Sequence, residues 1–198
     1  GIFAFLNYLP YSKHFHIILA FPNTYYANLE AKGRFENNAT VTKEVAMMMD
    51  PTADPFAAPA PDADAPVERF GAKDANDLSW ANLLNAYTCT ECGRCTSECP
   101  ANLTGKKLSP RKIMMDTRDR IEEIGVNIAA NGSFVDDGKS LLGDYITNEE
   151  LWACTSCNAC VQACPVDIDP LNIIMKLRNF ATMEESSAPG ALNAMMTN

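Results

Sequence analysis

All eight cysteines of this 198-residue chain fall into two copies of one spacing: Cys89, Cys92, Cys95 and Cys99 before Pro100, then Cys154, Cys157, Cys160 and Cys164 before Pro165. Each copy reads C-x2-C-x2-C-x3-C-P. Thiolates so spaced can wrap a short loop around one face of an iron–sulfur cube and send the fourth sulfur elsewhere, and the chemistry this offers is storage and release of single electrons. A tetrahedral zinc site needs only two C-x2-C pairs and leaves the third close cysteine and the Cys-Pro without a purpose. A disulfide framework fits worse, because three cysteines within seven residues are poorly placed to pair and a chain of this length needs no staples. Thiolates that feed clusters also imply a reducing compartment, so the cluster region is expected in the cytoplasm.

In two-cluster ferredoxins with this run the fourth cysteine ligates the other cluster. The expected sets are therefore Cys89, Cys92, Cys95 and Cys164 for one [4Fe-4S] centre and Cys154, Cys157, Cys160 and Cys99 for the second. The two runs are offset by 65 residues at all four cysteines. Each follows a short apolar stretch with a tryptophan, residues 78–87 around Trp80 and 151–153 around Trp152. Each precedes an N-cap residue with proline at the first helical position, Ser109-Pro110 and Asp169-Pro170.

Helices must therefore hold the loops. One is expected over 110–124, with Ile113, Met114, Ile121 and Ile124 on a common stripe and Gly125 as its stop. Another is expected over 170–183, using Leu171, Ile174, Leu177 and Phe180. Thr147 and Glu150 form a capping-box pattern, flanked by Ile146 and Leu151 as a staple, so a helix should begin at Thr147. A further start is expected near Asp77. The 54 residues between Cys99 and Cys154 carry a good helix and no clear alternating strand. The fold class is thus mainly α, a helical ferredoxin with two [4Fe-4S] clusters rather than the small β-rich kind, preceded by a membrane-interface segment. The stripes and methionines read as core around the clusters.

Residues 50–66 combine alanine, proline and aspartate and read as an extended, solvated linker. Residues 127–143 read as a surface loop, and the tail after Met183 as the approach to a further domain. The domain reading is a membrane segment over 1–29, a linker over 30–76, a cluster domain over 77–183 and a tail over 184–198. The formal charge is −9, and each oxidised cube with its four thiolates adds about two negative charges, which excludes nucleic acid as a partner. Lys106, Lys107, Arg111, Lys112, Arg118 and Arg120 form a basic island. It reads as a solvated face balanced by Asp116, Asp119, Glu122 and Glu123, or as a docking surface for an acidic redox partner.

The first 29 residues hold eight aromatics, Phe3, Phe5, Tyr8, Tyr11, Phe15, Phe21, Tyr25 and Tyr26, and one formally charged side chain before Glu30, Lys13. Amphipathic rings and a snorkelling lysine are membrane-interface chemistry. Pro10 and Pro22 interrupt the apolar runs, so no segment spans a bilayer by itself, and the basic n-region and cleavage site of a signal peptide are missing. The chain opens on glycine, so residues 1–9 are expected to end a transmembrane helix. Lys13, Lys32 and Arg34 then mark the cytoplasmic side.

The run Leu9-Pro10-Tyr11-Ser12-Lys13-His14-Phe15-His16 resembles the end of the last transmembrane helix of nitrate reductase gamma-type cytochrome b subunits. That resemblance implies haem b ligation by His16, shared with upstream helices, and gives His14 no counterpart. Residues 78–198 resemble the cluster domain of heterodisulfide reductase-related membrane-bound (Fe-S)-binding proteins. Thr88-Cys89-Thr90-Glu91-Cys92-Gly93-Arg94-Cys95, Ser109-Pro110-Arg111-Lys112 and the second run from Trp152 to Pro165 carry it. The family's CCG motif does not occur in this sequence, so its chemistry at that domain is not claimed.

Together these readings describe an electron-transfer component of a membrane-bound oxidoreductase, with the cluster domain on the cytoplasmic side of the membrane. The resemblance implies an electron-transfer flavoprotein or a thiol/disulfide couple as soluble partner, and haem b or menaquinone on the membrane side. The runner-up is a substrate-reducing iron–sulfur subunit of a heterodisulfide reductase-like enzyme, which needs an acid or base beside a cluster. A third reading makes the clusters structural staples in an assembly protein. No catalytic residue can be nominated from the chain. Iron and acid-labile sulfide analysis should return about eight of each per chain, as two cubes require; zinc in their place would exclude the cluster reading.

Overall fold

The computed structural model describes residues 1–30, 37–50 and 69–196. Helices α1 (Ile2–Tyr8), α2 (His16–Tyr25) and α3 (Ala39–Met49) come first. The cysteine region is built from α4 (Trp80–Thr88), α5 (Arg94–Ser97), α6 (Pro100–Leu103), α7 (Pro110–Asn131), α8 (Asn148–Ala153), α9 (Ala159–Gln162) and α10 (Pro170–Met183), and α11 (Gly190–Met196) follows. Among the described residues no strand forms, and a single isolated bridge joins Leu142 to Ile146.

The caps expected from sequence set three of the four helix starts. The Ser109 side chain accepts from the Lys112 amide at 3.4 Å and Asp169 from the Asn172 amide at 2.9 Å. Thr147 and Glu150 close a reciprocal capping box at the start of α8. The fourth start lies at Ser79 rather than Asp77. Asp77 instead closes a capping box with Asp74 around a short 3-10 turn over Ala75–Asp77.

Gly125 does not stop α7. The helix runs on to Asn131 and ends where Gly132 adopts a left-handed φ of 79°. A glycine in a helix interior costs about 1 kcal/mol, which a helix of 22 residues absorbs. Gly132 is the position that requires positive φ. The loop expected over 127–143 is shorter for the same reason, and Asn127 exchanges hydrogen bonds with Val135 as the chain turns back. Leu141 and Leu142 at its far end are buried.

Most of the expected stripe residues share one core, while Leu171 packs in a second cluster with Cys160 and Val161, and Ile124 is buried outside both. Ile113 and Met114 of α7 and Ile174, Leu177 and Phe180 of α10 are buried with Leu141, Ile146 and Leu151. Helix α4 packs on α7, α8 on α10, and α7 on α10. Ahead of α4, the Ala72 amide donates to the Lys176 carbonyl of α10 at 3.1 Å. A Cβ on Gly71 would lie 2.3 Å from the Phe180 amide nitrogen, so only glycine lets the chain approach α10 this closely. Of the linker expected over 50–66, residues 51–66 lie outside the described residues.

Helix α2 also packs against α4. The rings of Tyr26 and Trp80 meet edge to face at 5.0 Å. Buried Asn23 donates its side-chain N–H to the Val166 carbonyl at 2.8 Å, just past the second Cys-Pro. No helix of the described residues is long and apolar enough to cross a membrane.

The basic island is not one solvated face. Arg120 is fully buried and donates to both Asp74 oxygens, to both Asp137 oxygens and to the Lys139 carbonyl. Its hydrogen bonds hold the Asp137 carboxyl below its usual range, at about 2. Lys112 bridges Asp116 at 2.6 Å and Glu150 of α8 at 3.0 Å, tying the two helices together. Lys106, Lys107 and Arg111 remain exposed.

Arg120 thus satisfies two carboxylates from segments 46 and 17 residues away. Removing one partner of a buried pair leaves the rest uncompensated, so Arg120→Met should cost about 3–5 kcal/mol. Asp119→Asn at the exposed neighbouring position should stay within about 0.5 kcal/mol. Guanidinium denaturation of both variants beside the parent, followed by far-ultraviolet circular dichroism, measures the difference.

Candidate metal centre

Between Cys89 and Cys95, and again between Cys154 and Cys160, the chain must turn three thiols toward one side within seven residues. Left-handed backbone at equivalent places makes the turns: Glu91 (φ 59°) and Gly93 (φ 84°) in the first loop, Ser156 (φ 55°) and Asn158 (φ 61°) in the second. Non-glycine residues in this region cost of order 1–3 kcal/mol each, strain that the surrounding structure must over-determine. The return is an amide directed at sulfur. The Ser156 N–H donates to the Cys154 Sγ at 3.4 Å, and the Glu91 N–H serves Cys89 in the same way.

Each loop then enters a one-turn helix, α5 or α9, and the Cys-Pro pair carries the fourth thiol away. The destination is the other loop. One cavity is lined by Cys89, Cys92 and Cys95 together with Cys164, with Met114, Val166 and Ile168 among its apolar walls. A second is lined by Cys154, Cys157 and Cys160 together with Cys99, against Leu108, Leu171 and Ile174. Cys160 lies in the wall of both, so the cavities are neighbours.

The donor set fits polynuclear iron–sulfur ligation. Among the described residues no group of three Cys, His, Asp or Glu side chains is placed to hold a single metal ion, and the thiols line the two cavities. Burial raises the Cys89, Cys95 and Cys154 thiols above their ordinary value and pushes Cys160 up to about 12, because an unpaired thiolate is poorly solvated there. Coordinated metal reverses this and deprotonates a ligating thiol outright. Cys92 and Cys157, the second cysteines of their runs, are exposed, while Cys99 and Cys160 are buried.

Two arginines hold the loops, and neither stood out in the sequence for that role. Arg118 and Arg178 are each the ninth residue of the helix that follows their run, counted from Pro110 and Pro170. Arg118 pairs with Glu91 at 2.7 Å. Arg178 donates to the Leu151 carbonyl at 2.8 Å, the Cys154 carbonyl at 2.6 Å and the Ser156 hydroxyl at 3.3 Å, and stacks over Trp152 with 5.0 Å to the ring centroid. The signal that could have found them is this shared helix position.

His16 stands at the start of α2, half-buried, and lines neither cavity. His14 is exposed and meets Phe5 edge to face at 6.4 Å. Of the eight N-terminal aromatics, all but Phe15 are exposed.

Residues 88–168 match the model of the 4Fe-4S dicluster domain family. Over 99% of its length the chain is 30% identical to a probable iron-sulfur-binding oxidoreductase, FadF, of Bacillus subtilis, and 27% identical to an EtfAB:quinone oxidoreductase of Syntrophomonas wolfei. It covers only 29% and 27% of those two proteins. Over 55% of the chain it is 34% identical to one subunit of the ferredoxin/F(420)H(2)-dependent CoB-CoM heterodisulfide reductase of Methanosarcina acetivorans, covering 54% of that protein. No solved structure matches.

Proposed function

We propose that this heterodisulfide reductase-related iron–sulfur protein relays single electrons through two [4Fe-4S] clusters within a membrane-bound oxidoreductase. The observation that carries the reading is the exchange of thiols, each cavity being lined by the first three cysteines of one run and the fourth of the other, with Cys160 shared by both walls. Cys89, Cys92, Cys95 and Cys164 would hold one cluster, and Cys154, Cys157, Cys160 and Cys99 the other. A bound cluster supplies one-electron oxidation and reduction.

The chain's own residues do the rest. Leu108, Leu171 and Ile174 on one side and Met114, Val166 and Ile168 on the other exclude water. Cys92 and Cys157 offer exposed edges at which a soluble redox protein can exchange electrons. Because Cys160 belongs to both walls, an electron has a short covalent and van der Waals path between the two sites.

On the membrane side, α2 meets the first cavity through Asn23 and Val166. That contact supports the first site as the one facing a haem b or quinone acceptor. The exposed aromatics of residues 1–29 support a location at the cytoplasmic membrane, with the cluster domain on the cytoplasmic side. His16 would ligate haem b with a residue from helices outside these 198. The relatives' names favour electron-transfer flavoprotein or a heterodisulfide couple as soluble partner and a quinone as membrane partner. The substrate-reducing alternative gains less, since the described walls of the two cavities carry no carboxylate or imidazole.

Exchange of the fourth thiols makes a crossed prediction. Cys99→Ala should damage the cluster held by residues 154 to 160, and Cys164→Ala the one held by residues 89 to 95. Electron paramagnetic resonance of the two reduced variants should each lose a different signal, and loss of the same signal from both would contradict the assignment.

The haem proposal is tested separately. His16→Ala in the full-length protein should abolish the haem b absorbance while the iron–sulfur signals persist, and an unchanged haem spectrum would remove His16 from the electron path.

A further inference from the structure

Arg118 and Arg178 occupy the same place in the two halves, and so do the residues they reach. Glu91 and Ser156 are each two residues beyond the first cysteine of their run, each in left-handed conformation, and each gives its amide to that cysteine's sulfur. The halves therefore share one device, a helix arginine clasping the crest of the cysteine loop. They differ in charge. Glu91 neutralises Arg118 through an ion pair whose members are both 16% exposed. The Ser156 hydroxyl accepts from Arg178 and neutralises nothing, and its other acceptors, the Leu151 and Cys154 carbonyls, carry no net charge. Among the described residues no carboxylate forms an ion pair with Arg178.

We infer that this pair of clasps sets the two redox sites apart: at the second cluster Arg178 acts as an uncompensated cation that favours the reduced state, and at the first Glu91 cancels the same effect of Arg118. The inference rests on the two-cluster reading above. One electron from the soluble redox partner adds one negative charge to a cluster, and no bond is made or broken. A fixed positive charge beside half-buried Cys154 stabilises that added charge, and net charge is one of the levers on cluster potential. Arg178 is a positioning and charge-setting residue, since it binds the loop that carries the ligand. The clasps' own contribution is to ease reduction of the second cluster relative to the first, beside the separate fields of Arg94 and Arg111 at the first cavity.

Arg94, Arg111 and Thr96 also lie near the first cavity or its cysteines, so the test compares each cluster with itself. Redox titration of the cluster-loaded full-length protein, followed by electron paramagnetic resonance, should resolve two midpoints. Glu91→Ser should raise one of them and leave the other in place. Ser156→Glu should lower the other, by the order of a tenfold change in electron affinity, about 59 mV for a one-electron couple. Arg178→Gln should lower the same midpoint as Ser156→Glu, and Ser156→Gln, equal in size but neutral, should leave it near the parent value. Equal shifts from Ser156→Glu and Ser156→Gln would assign the effect to bulk and overturn the inference, as would a fall on Glu91→Ser. A parent protein with one midpoint and half the iron would instead remove the two-cluster reading itself.

Discussion

Cys99 and Cys164 leave the runs to which they belong and enter the cavities built by the other runs, so neither half of the cysteine region can form its site alone. Each Cys-Pro must point its thiol across the molecule and then release the chain into a helix that leads away. Pro100 opens α6 directly, whereas Pro165 is followed by a turn with Asp167 at φ 53° before Pro170 opens α10. The two long helices that result, α7 and α10, pack on one another behind the cavities. The shared core of Ile113, Met114, Ile174, Leu177 and Phe180 is the hydrophobic counterpart of the thiol exchange.

Much of the basic content of α7, with Arg178 of α10, ties the cysteine region together. Arg120, buried between Asp74 and Asp137, anchors the chain entering α4 and the loop leaving α7 to one point. Lys112 ties α7 to Glu150, the residue that caps α8 and so fixes the approach to the second run. Arg118 and Arg178 hold the crests of the two loops. Net stability from such buried pairs is small because desolvation offsets attraction, whereas loss of one member is expensive. Their return is geometric, keeping strained left-handed loops in place.

Helix α2 is attached to this frame rather than strung from it. Asn23 reaches the backbone just after Cys164-Pro165, and Tyr26 packs on Trp80. A buried amide side chain that finds a backbone partner 143 residues away gives the segment a fixed relation to the first cavity.

The cysteine spacing, the doubled unit and three of four helix starts were readable from sequence because each is a local matter: ligand intervals, proline at the first helical position and side-chain caps all act within four residues. Gly125 misled because a weak local penalty yields to the packing of a long helix, and Asp77 because an acidic residue can cap a turn or a helix equally well. The clasps of Arg118 and Arg178, the burial of Arg120 and the contact of Asn23 with Val166 were not legible. Each joins residues that only the folded chain brings together, and a charged side chain in a sequence carries no mark of which distant carboxylate, carbonyl or hydroxyl will meet it. Sequence determined which thiols can serve a cluster and, through the exchange that this run implies, which four belong together. Tertiary structure decided what charge stands beside each cavity, because that depends on which side chains α7 and α10 bring to the loops rather than on any interval along the chain.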